Sequence, residues 1–316
     1  MILVTGGCGF IGSEVVRQLL AGGHTVRIAD NLSKPSAKPI PGAEFVRADL
    51  ASPSEARAVM RGVRVCVNLA ARIGGIGYFH RLPATILSEN NQIYSSTFEA
   101  AAAEKIERMV FVSSSMVFES ATSFPSREDE LPKLPPPFTA YGFSKLIGEW
   151  YCRAFFEQHG LRYTIIRPFN AIGPEEEAGD EVGDAHVIPD LVKKIRGGQY
   201  PLELLGDGTQ TRCFTHVSDI ARGLVMAMAS EQAINQDFNL GNSEEITMLE
   251  LARRLYALCG DQRPFKVTHV PGFPSDIRRR VPDGSKAERV LGWTPRVTLD
   301  EGLREVLAAA AARAGA

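Results

Sequence analysis

Apolar residues recur along this chain as short unbroken runs, each followed by a longer stretch with helical spacing. Met1-Ile2-Leu3-Val4 is the first run, short enough for a buried parallel strand, and the amphipathic pattern over 14–20 reads as a helix. Further strands are expected at Thr25-Val26-Arg27-Ile28-Ala29, at Ala43-Glu44-Phe45-Val46-Arg47, over 63–69, at Met109-Val110-Phe111-Val112 and over 161–167. Helices are expected just after Ser52-Pro53-Ser54-Glu55, over 83–104 and over 140–159. This alternation of strands and helices predicts an α/β architecture with a doubly wound parallel sheet. The stretch 31–41, which contains proline and lysine, reads as a surface loop, and the polar, proline-rich stretch 119–137 as a long loop before the next helix. Residues 72–78 hold too much glycine for a helix and too little charge for a solvated linker, and are read as a loop over the mouth of a site, with a plain connection as the alternative.

Beyond Asn170 the rhythm breaks. An acidic loop over 173–184 precedes a helix over 186–197, a polar turn at Gly206-Asp207-Gly208-Thr209, and a helix from Val217 that returns to the core. A strand at Asp237-Phe238-Asn239-Leu240, an amphipathic helix over 247–258 and a terminal helix over 299–316 complete the chain. The expected organisation is a domain over 1–168, with returns near 213–240, and a smaller, partly interleaved lobe over 169–316.

The first turn carries the first chemistry. Thr5-Gly6-Gly7-Cys8-Gly9-Phe10-Ile11-Gly12 joins strand to helix. Gly6 suits the tight turn, Gly9 lets backbone approach a pyrophosphate, and Gly12 lets helix pack closely on strand. The helix N-terminus then offers unpaired N–H groups to phosphate oxygens. The second strand ends at Asp30, whose carboxylate can accept hydrogen bonds from an adenosine ribose and would repel a 2′-phosphate, so NAD is expected over NADP. Asp49 stands where the third strand leaves the sheet, and either meets the adenine amino group or caps the next helix. The small residues of Leu69-Ala70-Ala71 let backbone approach the cofactor.

Composition narrows the partners. The chain has 316 residues, 44% of them hydrophobic, and 35 basic against 37 acidic side chains, so no global field draws it to nucleic acid or an anionic membrane. Five scattered cysteines lack disulfide or zinc spacing, and no metal site is expected. No long apolar segment or leader pattern is evident, and a soluble, cytoplasmic protein is expected.

Ligands of an open parallel sheet gather at the carboxyl ends of its strands, where Ser113, Ser114 and Ser115 follow the fifth strand. Tyr141 and Lys145 lie one turn apart on one helix face. A free tyrosine, with pKa of about 10, is a poor base at neutral pH, but a lysine ammonium and an oxidised nicotinamide beside it favour the phenolate. A serine hydroxyl, Ser114 in the first place, would orient the reacting alcohol, and Lys145 would hydrogen-bond the nicotinamide ribose.

With these motifs in order, the chain resembles the extended short-chain dehydrogenases, the NAD-dependent epimerase/dehydratase family acting on nucleotide sugars. The resemblance implies a Rossmann domain, a retained NAD, a nucleotide diphosphate sugar in the cleft between the lobes, and a homodimer. It extends the cofactor site to Phe10, Ile11, Asn31, Leu50, Asn90, Ser113 and Pro168. It assigns Gly75, Ser114, Ser115, Asn170, His186, Val187, Arg212 and Arg280 to the substrate, with Asn170 and the two arginines on its diphosphate or nucleotide. Arg278 is a weaker candidate and Arg279 is expected to face solvent.

Relatives that dehydrate the sugar carry an Asp-Glu pair after the serine, and those that decarboxylate a glucuronate carry a glutamate in the second place. This chain has Ser115 and Met116, neither of which shuttles a proton. The Gly74-Gly75-Ile76-Gly77 loop and His186 are similar to GDP-mannose 3,5-epimerases and GDP-fucose synthases, but Met116 stands where those enzymes use a cysteine. The reading that survives is NAD-dependent 4-epimerisation through a 4-keto sugar. The alternatives are a 3,5-epimerase/4-ketoreductase with His186 as acid, a dehydratase or decarboxylase, and a dinucleotide sensor without catalysis. His186 otherwise caps its helix or touches the sugar.

Overall fold

The computed structural model describes residues 1–34, 36–176, 186–272 and 277–314. β1 (Ile2–Thr5) runs into α1 (Phe10–Ala21), followed by β2 (Val26–Asp30), β3 (Glu44–Arg47), α2 (Pro53–Met60) and β4 (Val65–Asn68). Next come α3 (Ile76–Arg81), α4 (Pro83–Ala103), β5 (Arg108–Val112), α5 (Ala140–His159) and β6 (Arg162–Pro168). The remainder holds β7 (Ala171–Ile172), α6 (Val187–Arg196), β8 (Leu202–Leu205), β9 (Thr211–Cys213), β10 (Thr215–His216), α7 (Val217–Ala229) and β11 (Gln236–Leu240). It ends with β12 (Glu245–Thr247), α8 (Met248–Leu258), β13 (Val267–Val270), β14 (Arg279–Arg280), α9 (Ser285–Leu291) and α10 (Leu299–Ala314).

The order β11-β6-β5-β4-β1-β2-β3 makes one seven-stranded sheet whose neighbours are all parallel. Such strands are covered on both faces, which is why β1, β4 and β5 are buried throughout and read as continuous apolar runs. Alternate residues feed opposite cores: Ile2 and Val4 pack with α1, α7 and Trp293, while Leu3, Cys66 and Phe111 pack with α2, α4 and α5. The strand order reverses between β1 and β4, which opens a crevice at their carboxyl ends. There Thr5 Oγ1 donates to Asn68 Oδ1 at 2.6 Å and accepts from the Ala70 N–H at 3.2 Å, tying the two strand ends together.

After Asn170 short strand pairs and helices build a second core around Ile188, Leu191, Leu204, Leu251, Leu255 and Leu303. α7 packs on α1, and β11 pairs with β6 as the edge of the main sheet.

Two local readings change. Residues 72–78 are not all loop: the chain turns into α3 at Ile76, with Gly75 as its extended N-cap. Gly74 makes the fold-back possible, since a Cβ there would lie 2.6 Å from the Tyr78 ring. The 119–137 stretch is likewise not all loop: Glu128–Lys133 forms a short 3-10 helix, and Glu119 and Glu128 are buried. Of the acidic loop, the part beyond Glu176 lies outside the described residues.

Candidate active site

One cavity of about 1480 Å³ runs along the carboxyl ends of the sheet strands and out toward α6 and β14. Every residue assigned above to cofactor or substrate lines it except Asn90. Asn90 lies behind the wall: it is fully buried, and its amide holds the Arg72 N–H and C=O at 2.6 and 3.2 Å and the Ser144 hydroxyl at 3.1 Å. These hydrogen bonds fasten the 72–75 turn to α5.

At one end the glycine turn makes a phosphate-sized cradle. Gly6 is left-handed at φ +65°, and a Cβ on it would lie 3.0 Å from the Ala70 nitrogen. A Cβ on Gly12 would lie 2.1 Å from the Gly6 carbonyl oxygen, so only glycine lets α1 start this close to β1. Gly9 is the extended N-cap of α1 and has no side chain to satisfy the helix's first N–H groups. Asp30 accepts from the Cys8 and Leu32 N–H groups at 3.0 and 2.9 Å, which fixes its carboxylate beside the turn. Asp49 is not the cap of α2. Ser52 is, its hydroxyl accepting from the Glu55 N–H, while Asp49 Oδ1 accepts from Ala51 N and its residue lines the cavity.

In the middle, Ser113, Ser114 and Ser115 leave β5 opposite the first turn of α5. That turn is held from below: Thr139 caps α5 by accepting from the Gly142 N–H, and buried Glu119 accepts from the Thr139 N–H at 2.8 Å and from its hydroxyl. Lys145 Nζ donates to the Val112 C=O at 2.9 Å and lies 5.9 Å from the Tyr141 ring centroid. Burial pulls the Lys145 ammonium down to about 7, with the Glu149 carboxylate opposing. Burial likewise pushes the Tyr141 phenol above its ordinary range, and the hydrogen bond from Ser114 and the charge of Arg280 pull it back only in part. Desolvation dominates in the protein by itself, and the nearby cation acting on the phenol is Arg280.

At the far end, Asn170 is left-handed at φ +37°, a conformation asparagine tolerates better than most residues, and it donates from Nδ2 to the Cys213 C=O at 2.8 Å. Its Oδ1 accepts from Arg280 at 3.3 Å, and Arg280 also reaches Met116 Sδ at 2.8 Å. Arg212 donates to the Ile277 C=O at 2.6 Å. Arg278 pairs with Asp207 and Arg279 with Glu245, both on the surface. His186 precedes α6 without capping it; its Nδ1 pairs with Glu176 instead.

Four contributors escaped the sequence reading. Phe79 stacks on Tyr141, Glu119 braces the cap of α5, Glu149 accepts from Ser113 and Arg167 at 2.7 Å, and Glu176 holds His186. Only Glu149 had a signal, its position one turn beyond Lys145 on the same helix face.

Fold and site define a dinucleotide-binding α/β protein with a Ser-Tyr-Lys group facing the cofactor cleft. Residues 2–241 match the NAD dependent epimerase/dehydratase family, and the chain belongs to it. It is 31% identical to a putative UDP-glucose 4-epimerase of Methanocaldococcus jannaschii, over 97% of both chains. It is 30% identical to UDP-glucuronic acid decarboxylase 1 of Danio rerio, over 97% of this chain and 71% of that protein. The UDP-glucose 4-epimerase of Thermotoga maritima, solved with UDP-glucose, superposes with a TM-score of 0.89 at 28% identity, covering 99% of each chain. The protein is thus an enzyme of this family and its cofactor is NAD, which the glycine cradle and Asp30 fit.

Proposed function

We propose that this enzyme is a nucleotide-sugar 4-epimerase. The observation that carries the reading is the surroundings of Met116: a thioether, 2.8 Å from Arg280, occupies the place where a proton-transferring side chain would be needed for dehydration, decarboxylation or two-base epimerisation. Ser115 beside it is buried and equally unable to shuttle a proton. What remains is chemistry that one acid–base group can complete.

Gly9, Gly12 and the first turn of α1 would hold the NAD pyrophosphate, Asp30 the adenosine ribose and Lys145 the nicotinamide ribose. NAD, when bound, supplies a hydride acceptor that can later return the hydride to either face of the oxidised carbon. Tyr141 Oη takes the proton of the sugar's 4-hydroxyl and gives it back after the 4-keto sugar has turned over. Ser114 orients that hydroxyl, and Asn170, Arg212 and Arg280 hold the diphosphate end while the sugar rotates. Incubation with UDP-, GDP- and dTDP-sugars in deuterated water tests this: the expected product is the C4 epimer with no carbon-bound deuterium.

The Glu176–His186 pair favours a second reading, a 3,5-epimerase/4-ketoreductase with His186 as acid, because the carboxylate leaves the other ring nitrogen directed away from itself in the same cavity. Deuterium at C3 or C5, or net consumption of a reduced nicotinamide cofactor, would select it. As to assembly, Phe143 and Trp150 are 38% and 62% exposed on α5, and a homodimer that covers this face is proposed. Sedimentation of the protein and of Trp150→Glu tests it, with dissociation expected for the variant.

A further inference from the structure

Tyr141 is not exposed to the cavity on all sides. Its ring and that of Phe79 stack with centroids 4.5 Å apart and planes 7° from parallel, and the two residues are only 3% and 7% exposed. Ile86 and Met116 complete the same apolar cluster, and Tyr78 packs against it. Phe79 belongs to α3, a single short helix whose entry turn is fastened to α5 by a chain of hydrogen bonds. The Arg72 backbone is held by Asn90, Asn90 Nδ2 donates to Ser144 Oγ at 3.1 Å, and Ser144 Oγ donates to the Tyr141 C=O at 2.8 Å. Side-chain stacking and this chain therefore join α3 to the same residue, one through its ring and the other through its backbone.

We propose that Phe79 is a positioning residue for Tyr141: its ring fixes the plane of the phenol and keeps water from one face of it. The inference rests on the reading of Tyr141 as the proton-transferring group. A flat neighbour at van der Waals distance blocks the swing of the ring about the Cα–Cβ bond and fixes its plane, which holds the hydroxyl where Ser114 and the substrate meet it. It also removes solvent from the ring, part of the burial that raises this phenol. The other groups around the ring are Lys145 on its own helix, Arg280 from β14, Tyr94 from α4, Tyr78 from α3 and the Ser114 hydroxyl at the end of β5. Arg280 and Ser114 favour the phenolate. Phe79 opposes them, and the balance keeps the proton on Tyr141 until substrate and cofactor arrive.

Two substitutions separate the two effects. Phe79→Ala removes both the plane and the cover, whereas Phe79→Leu keeps an apolar cover without a flat surface. In the holoenzyme, kcat for the nucleotide sugar turned over should fall about tenfold in both, with KM changed less than about threefold. The acid limb of the kcat–pH profile should move to lower pH by about one unit in the alanine variant and stay in place in the leucine variant. Independently of turnover, 13Cζ-tyrosine labelling, with Tyr141→Phe to assign the signal, should show Tyr141 ionising at lower pH in the alanine variant. Should the alanine variant not fold, the leucine variant's loss of kcat at constant KM decides. Unchanged kcat and an unmoved Tyr141 signal would overturn the role of Phe79. Full activity of Tyr141→Phe would instead remove the acid–base reading, while the labelled signal still reports on the stacking.

Discussion

In the proposed reaction Tyr141 gives and takes a proton, yet its burial holds the proton in place. The conflict identifies which neighbours matter. Arg280, reaching in from β14 to touch Met116 and Asn170, is a cation brought to the phenol by a segment distant in sequence. Tyr141→Phe is expected to lower kcat by roughly 10²–10⁴ with little change in melting temperature, since the lost group is a proton carrier and not a packing element. Gly12 offers a test of the cradle: an alanine Cβ, 2.1 Å from the Gly6 carbonyl, forces α1 away from β1. The expected outcome is a stability loss of about 1–3 kcal/mol together with weakened NAD binding, measured by melting and by cofactor titration. Gly12, Asp30, Tyr141 and Lys145 were legible as single residues because each serves a local geometry, a turn, a strand end or one helix turn. Phe79 and Glu176 were not, because nothing near them in sequence marks them; their partners are brought by other elements.

At the scale of elements, α5 is the one whose placement the chemistry depends on. Its start is set by Thr139, and Thr139 is in turn set by Glu119, a carboxylate that burial raises and that the Thr139 hydrogen bonds and Arg280 pull back. Thr139→Ala removes both the cap and a partner of a buried carboxylate. It should cost about 1–3 kcal/mol in denaturant unfolding and lower kcat through displacement of Tyr141. The long helices and the buried strands were readable from apolar spacing, because burial on both faces leaves no other pattern for a parallel strand. α3 was not readable. Gly77 inside it and Gly74-Gly75 before it argue against a helix by propensity, and the Tyr78 ring folding over Gly74 and the stacking of Phe79 on Tyr141 of α5 favour it.

Across the whole molecule, a buried charge network joins the edge of the sheet to the site. Arg167, fully buried on β6, is held by Glu149 from α5 and by Asp237 from β11 at 2.7 and 2.8 Å, and Lys286 from α9 reaches Asp237 at 2.7 Å. Burial by itself would raise the Asp237 carboxyl, but Arg167 and Lys286 outweigh it and hold it at about 2. A carboxyl depressed in the folded state adds stability above its unfolded value of about 4 and loses it as pH falls through the folded value. Stability should therefore drop between about pH 4 and 2 by on the order of 2 kcal/mol from this group, and Asp237→Asn should flatten that part of the curve. Urea unfolding across that range checks it.

The local content of this protein was determined by its sequence alone: where the strands of the main sheet and the long helices lie, that a glycine turn joins the first strand to the first helix, and that a tyrosine and a lysine share a helix face. Those features arise from spacing and from side-chain size, which act over a few residues. The tertiary structure decided what surrounds each of them. Whether a phenol is acidified or suppressed, whether an asparagine meets a ligand or a loop, and which arginine stands beside the reacting group depend on dielectric and on charges contributed by distant segments. These quantities have no value until the chain has closed around the cleft.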